Sequence, residues 1–169
     1  MKVDRAFIDT SRFFISGCLN NVDHCLNLLS NEDIWWRPNA ESNSIGNLLL
    51  HVLGSLNQWI LGGIGGAKVH RERQQEFGQR TPIPNADLLS RLNSTRNDVD
   101  RVISGLDPAK LSNKMHAAGK EITWMFAIFL MTQHLSMHTG QFITLTKSRT
   151  GKDLDLPQFI DNVPDRLLE

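Results

Sequence analysis

The residues of this sequence best suited to chemistry are histidines. His134 and His138 stand four residues apart in the run MFAIFLMTQHLSMHTGQFITL, the most apolar stretch of the chain. On a helix this spacing puts both rings on one face, one turn apart, with Cβ atoms about 5–6 Å from each other. Such a pair can reach one metal ion. It can equally be two core histidines with separate partners, since a lone HxxxH is a weak motif. The face they share also carries Met131, Leu135, Phe142 and Leu145 and must point inward. Imidazole nitrogens buried there need partners. A divalent cation would satisfy both rings at once, and imidazole suits zinc, nickel, cobalt or iron(II).

A third ligand has to come from another helix. His51, in the apolar stretch NLLLHVLGS, is the best candidate; His24 sits beside the stripe of the first helix and is a weaker one. His70 and His116 fall in polar segments and are expected at the surface. The position after His134 is Leu135, where the zinc peptidase motif HExxH would have its general-base glutamate, so peptide hydrolysis of that type is disfavoured. Three neutral histidines would leave a cation its full charge, able to acidify a water or a thiol.

Other chemistries find less support. The segment GGIGG at 62–66 matches neither phosphate-loop pattern and follows no strand, so it reads as a flexible exit from a helix. Cys18 and Cys25, seven apart on one helix, would lie about 10.5 Å apart along its axis, too far for a disulfide. They read as free thiols or small apolar fillers. Eighteen basic residues balance eighteen acidic ones without a basic stripe, which argues against nucleic acid and anionic membranes. The N-terminus lacks an apolar signal core, and the apolar run 122–133 is short for a membrane span, so the expectation is a cytoplasmic protein.

Four helical segments must position the histidines. The first runs from about Asp4 to Leu29 with a stripe of Phe7, Phe14, Cys18, Val22, Cys25 and Leu29, and Ser30, Asn31 and Asp33 end it. The second starts near Ser42 or Asn43, both good caps, and runs to about Leu61. Residues 67–84 read as a short surface helix or a mobile loop. The third helix opens near Asn85, with Leu88, Leu89, Leu92, Thr95, Val99, Val102, Ile103 and Leu106 marking its buried side before Asp107 and Pro108 stop it. A polar loop at 109–121 leads to the fourth, from Ile122 or Thr123 to about Arg149, closed by Gly151. The tail packs along these helices, and no convincing strand is visible. The pattern predicts an all-α four-helix bundle, one domain over residues 1–169.

Two segments, WWRPNAESNSIGNLLLHVLGSLNQWI at 35–60 and HLSMHTGQFITL at 134–145, resemble the DinB/YfiT-like superfamily of metal-binding four-helix proteins. The resemblance covers nearly the whole chain. It implies a divalent metal, nickel or zinc, at the bottom of a cleft, held by His51, His134 and His138 with no catalytic residue beyond these ligands. It also implies a homodimer acting on a small-molecule substrate. Characterised relatives include transferases and isomerases that use a low-molecular-weight thiol, so thiol-dependent S-transfer to an electrophile is the leading expectation. Metal-dependent hydrolysis and a non-catalytic metal-binding stress-response role are the alternatives. Around this site, Trp35 and Trp36 read as aromatics pinning a loop to the end of the helices, and Asn43 and Ser44 as caps. Asn47 and Ser55 flank His51 by one turn and are candidates to support it, as Gln141 is for His138.

Overall fold

A computed structural model describes residues 3–117, 119–157 and 159–168; Met1, Lys2, Ala118, Gln158 and Glu169 lie outside the described residues. The described residues form six α-helices: α1 (Val3–Asn27), α2 (Asn31–Trp35), α3 (Ile45–Leu56), α4 (Arg73–Gly78), α5 (Asn85–Ser104) and α6 (Trp124–Thr150). A π-helical turn, Asn57–Gly62, extends α3. The long helices α1 and α3 each pack against both α5 and α6, so the core lies between the four. Leu19, Leu26, Leu49, Leu56, Leu92, Ile103 and Phe142 are among its fully buried side chains.

Three sequence expectations need correction. The loop 109–121 contains an antiparallel hairpin, β1 (Lys114–Ala117) and β2 (Lys120–Thr123), with Met115 opposite Ile122. Its strands are only four residues long, and alternation over so few positions gives no periodic signal. The expected end of the first helix also proves to be a second start. Ser30 caps α2 through a capping box with Asp33, whose backbone N–H donates to Ser30 Oγ at 3.1 Å. In addition, the inward stripe of α1 is Ile8, Ile15, Cys18, Leu19, Val22, Cys25 and Leu26, whereas Phe14 is 39% exposed and stacks on Phe159 of the tail.

The remaining boundaries follow local chemistry. Ser44 caps α3 by accepting from the Asn47 N–H, Thr123 caps α6 by accepting from the Phe126 N–H, and Gly151 ends α6 in the left-handed conformation at φ 65°. Trp35 and Trp36 behave as pins. The Trp35 indole donates to Ile83 O at 3.1 Å and its ring presses on α3 at Gly46, where a Cβ would come within 2.8 Å of it. The Arg149 guanidinium lies over the Trp36 ring at 4.9 Å and its Nε donates to Asp33 at 2.8 Å. Cys18 and Cys25 are buried free thiols, and burial pushes both above the usual thiol range, which removes them as nucleophiles. The tail packs on α1, with Leu154 buried.

Candidate metal centre

The middle of α3 is buried on nearly every side, because Leu48, Leu49, Val52, Leu53 and Leu56 surround His51 on neighbouring turns. His51 is therefore held at 5% exposure with little rotamer freedom. Across from it, α6 presents His138, also buried, and His134, which is half-buried at the margin of the inward face. The half-exposure of His134 gives the cluster an edge on solvent.

The three rings converge through the same atom. His134 Nε2 lies 3.1 Å from His51 Nε2 and 3.1 Å from His138 Nε2, and one ligand atom from each ring falls within 4.8 Å of the others. The outer nitrogens fix why. His51 Nδ1 donates to Glu76 Oε2 at 3.0 Å, and His138 Nδ1 donates to Gln141 Oε1 at 2.6 Å. With their protons on Nδ1, both rings turn lone pairs toward His134. A proton on His134 Nε2 can serve one of them, and the other is left facing it without a donor. One cation accepts from all three, and nitrogens bound at about 2.0–2.1 Å around a tetrahedral ion stand about 3.3 Å apart. The donor set and its spacing fit a divalent metal.

Burial first, and then the neighbouring His138 and His51, push His134 down to about 4 from the ordinary 6.5, and burial also lowers His51. Both rings are neutral at pH 7, the state that coordinates. The folded metal-free protein binds fewer protons here than the unfolded chain between about pH 6.5 and 4. Its stability from this group is thus fully present above the ordinary value and is lost as pH falls toward 4. Urea denaturation of the metal-free protein across that window should show a steeper acid loss for wild type than for His134→Gln; parallel curves would show that His134 keeps an ordinary pKa.

The support behind the histidines comes largely from a segment that reads as surface. Arg71 donates to Glu76 through Nε at 2.7 Å and through Nη2 at 2.9 Å, and it also reaches Gln58 Oε1 at 2.8 Å and Ser55 Oγ at 2.9 Å. Asn47 fastens the same segment: its amide donates to Glu76 O at 2.8 Å and Gln79 O at 3.1 Å, while its Oδ1 accepts from Arg37 and from Ser44. Asn47, Ser55 and Gln141 thus take the supporting places expected of them. Glu76, Arg71 and Phe77, whose ring lies 4.6 Å from that of His51, were not legible in the sequence. One signal did exist. Gly54 interrupts an apolar helix one turn after His51, and a Cβ there would run into the Glu76 carboxylate. His24 takes no part, since its Nε2 bonds Leu154 O at 3.1 Å, and His70 and His116 are on the surface.

Fold and cluster together define a mainly helical protein whose two packed helices bring three imidazoles to one point. The chain belongs to the family described as a protein of unknown function, DUF1572, whose model matches residues 2–157. Its fold is that of DinB-like proteins. A DinB-like protein (YjoA) from Bacillus subtilis is similar at 19% identity and a TM-score of 0.66, over 88% of this chain and 95% of that one. A DinB-like protein from Bacillus cereus is similar at 16% identity and a TM-score of 0.62, over 83% and 89%. Comparison with curated proteins gives no match.

Proposed function

We propose that the chain is a metal-dependent enzyme acting on a small electrophilic substrate, with thiol-dependent S-transfer as the leading reaction. His51, His134 and His138 hold the ion, nickel or zinc. The observation that carries this reading is the ligand count: among the described residues the cluster contains three histidines and no fourth protein ligand. A structural zinc site is closed by four protein ligands, whereas a catalytic one keeps a position open. His24, the weaker ligand candidate of the sequence, is committed to Leu154 O.

A divalent ion held there supplies acidification, so that a low-molecular-weight thiol or a water loses its proton near neutral pH. The chain supplies position: Glu76 and Gln141 hold the His51 and His138 rings, and half-buried His134 is the most exposed of the three. In transfer, the thiol sulfur forms the new bond, the leaving group departs with its electron pair, and the thiol proton passes to solvent. Hydrolysis ranks second because Glu76, the one carboxylate touching the cluster among the described residues, is already engaged by Arg71 and His51 and is a poor general base. Metal-loaded protein should consume glutathione, bacillithiol, mycothiol or coenzyme A in the presence of a generic electrophile faster than His51→Ala does. Metal-dependent ester or amide cleavage without thiol dependence would reverse the ranking, and metal binding without either activity would favour a non-catalytic stress-response role.

The same reading places a four-helix bundle in the cytoplasm; no helix among the described residues is long and apolar enough to cross a membrane. It also includes a homodimer, for which α6 offers a face. Met125, Phe126, Phe129 and Met137 are exposed on α6, and the helix carries no Asp, Glu, Lys or Arg from Trp124 to Thr146. A two-fold interface sets a surface against itself, which an uncharged stripe tolerates without like-charge contacts. Sedimentation at micromolar concentration should give a dimer mass that Phe129→Glu converts to monomer. A monomeric wild type would refute this.

A further inference from the structure

Four guanidinium groups lie around α4; Arg80 donates to the backbone oxygens of Phe77 and Gln79, and the bonding of the other three differs. Arg71 spends its donors on Glu76, Ser55 and Gln58. Arg37 spends its donors on Ser42 O, Gln79 O and Asn47. Arg73 has no hydrogen-bond or ion-pair acceptor among the described residues. It lies instead over the Phe77 ring, with Cζ 4.9 Å from the centroid, and Phe77 in turn lies 4.6 Å from the His51 ring. Cation, phenyl ring and imidazole thus follow one another beside the cluster.

Such an arrangement holds a guanidinium by its face and leaves the N–H groups along its edge free. That edge is a planar fork that fits a carboxylate through two parallel hydrogen bonds. The charge balance points the same way. Glu76 is matched by Arg71, the neutral histidines bring no charge, and Glu72 faces His70 and Gln75. Arg37, Arg73 and Arg80 have no carboxylate partner among the described residues, so the charge left over around α4 is positive.

We propose that Arg73 recognises a carboxylate on the small molecule that enters the histidine site, so that the substrate or its thiol partner is an anion. The assignment rests on the metal reading above and names the substrate class for it. Phe77 keeps the fork at one distance from the cluster, so the site selects molecules carrying a metal-binding group at one end and a carboxylate at the other.

The test uses cobalt-loaded protein, whose visible spectrum changes when a ligand reaches the ion. Two isosteric pairs separate charge from metal-binding chemistry: 3-mercaptopropionate against 3-mercapto-1-propanol, and succinic monohydroxamate against butyrohydroxamate. The acid of each pair should bind about tenfold tighter, the worth of a charge-assisted contact. Arg73→Ala should bring that ratio to about one, and Arg73→Lys should keep part of it. An acid preference that survives in Arg73→Ala, or none in wild type, overturns the assignment. Discrimination by the hydroxamate pair with no thiol binding upholds Arg73 and refutes the thiol-transfer reading. Cobalt stoichiometry from the same samples reports separately on the histidines, and its absence would refute both.

Discussion

Alanine at both His134 and His138 should abolish metal binding, taking the purified protein from about one ion per chain to below about a tenth. The two rings supply two of three convergent Nε2 atoms, and Gln141 and Glu76 lie on the far, Nδ1 side of the rings rather than at the point of convergence. The same substitution should separate two kinds of stability. The metal-free double variant should unfold within about 1 kcal/mol of wild type, because it removes no large apolar group. Added metal should stabilise wild type by about 2.7 kcal/mol at a hundred times its Kd, a rise in Tm of about 5–10 °C for a chain of this size, and the variant hardly at all. Elemental analysis and thermal melts with and without nickel or zinc read both quantities. A full complement of metal in the double variant would remove the site.

Glu76→Ala should cost both affinity and stability. Glu76 and Arg71 side chains are only 10% and 11% exposed, so removing the carboxylate strands a nearly buried cation. Breaking such a pair costs about 3–5 kcal/mol. Ser55 and Gln58 still accept from Arg71, which puts the expectation near the lower end, about 3 kcal/mol, or a fall in Tm of about 6–12 °C. Metal affinity should fall about 10- to 100-fold, the usual effect of removing the group behind a ligating histidine, because the His51 ring loses the acceptor that fixes its Nδ1–H. Glu76→Gln, which keeps a carbonyl acceptor, should lose less of both. Pairing Glu76→Leu with Arg71→Met distinguishes the two effects: stability should return, since no charge is stranded, while affinity should stay low. Isothermal titration and urea melts measure them, and undiminished metal affinity in Glu76→Ala would show that packing alone orients His51. Gly54→Ala should shift both quantities in the same direction by displacing the carboxylate.

The histidines and the helices that carry them were legible because their signals are local. A buried face repeats every three or four residues, so Leu88, Leu92, Thr95, Val99 and Ile103 declare α5. A histidine in an apolar run declares a buried polar group in need of a partner, and a serine before such a run declares a cap, as Ser44 does. The spacing of His134 and His138 is likewise set by one helix. Helix periodicity does not, however, say where a polar segment between two helices lies. Residues 67–84 show no buried stripe, because the segment is held to α3 by hydrogen bonds from Asn47, from Arg71 to Ser55 and from His51 to Glu76, leaving its remaining polar side chains in water. Tertiary structure alone therefore brought Glu76 to His51 across 25 positions of sequence, set Phe77 against the same ring and left Arg73 unpaired beside it. The meeting of His51 with His134 was decided in the same way. Each helix fixes the face on which its histidine lies, but the height at which the two faces meet depends on how α3 and α6 pack, and that depends on side chains throughout the core.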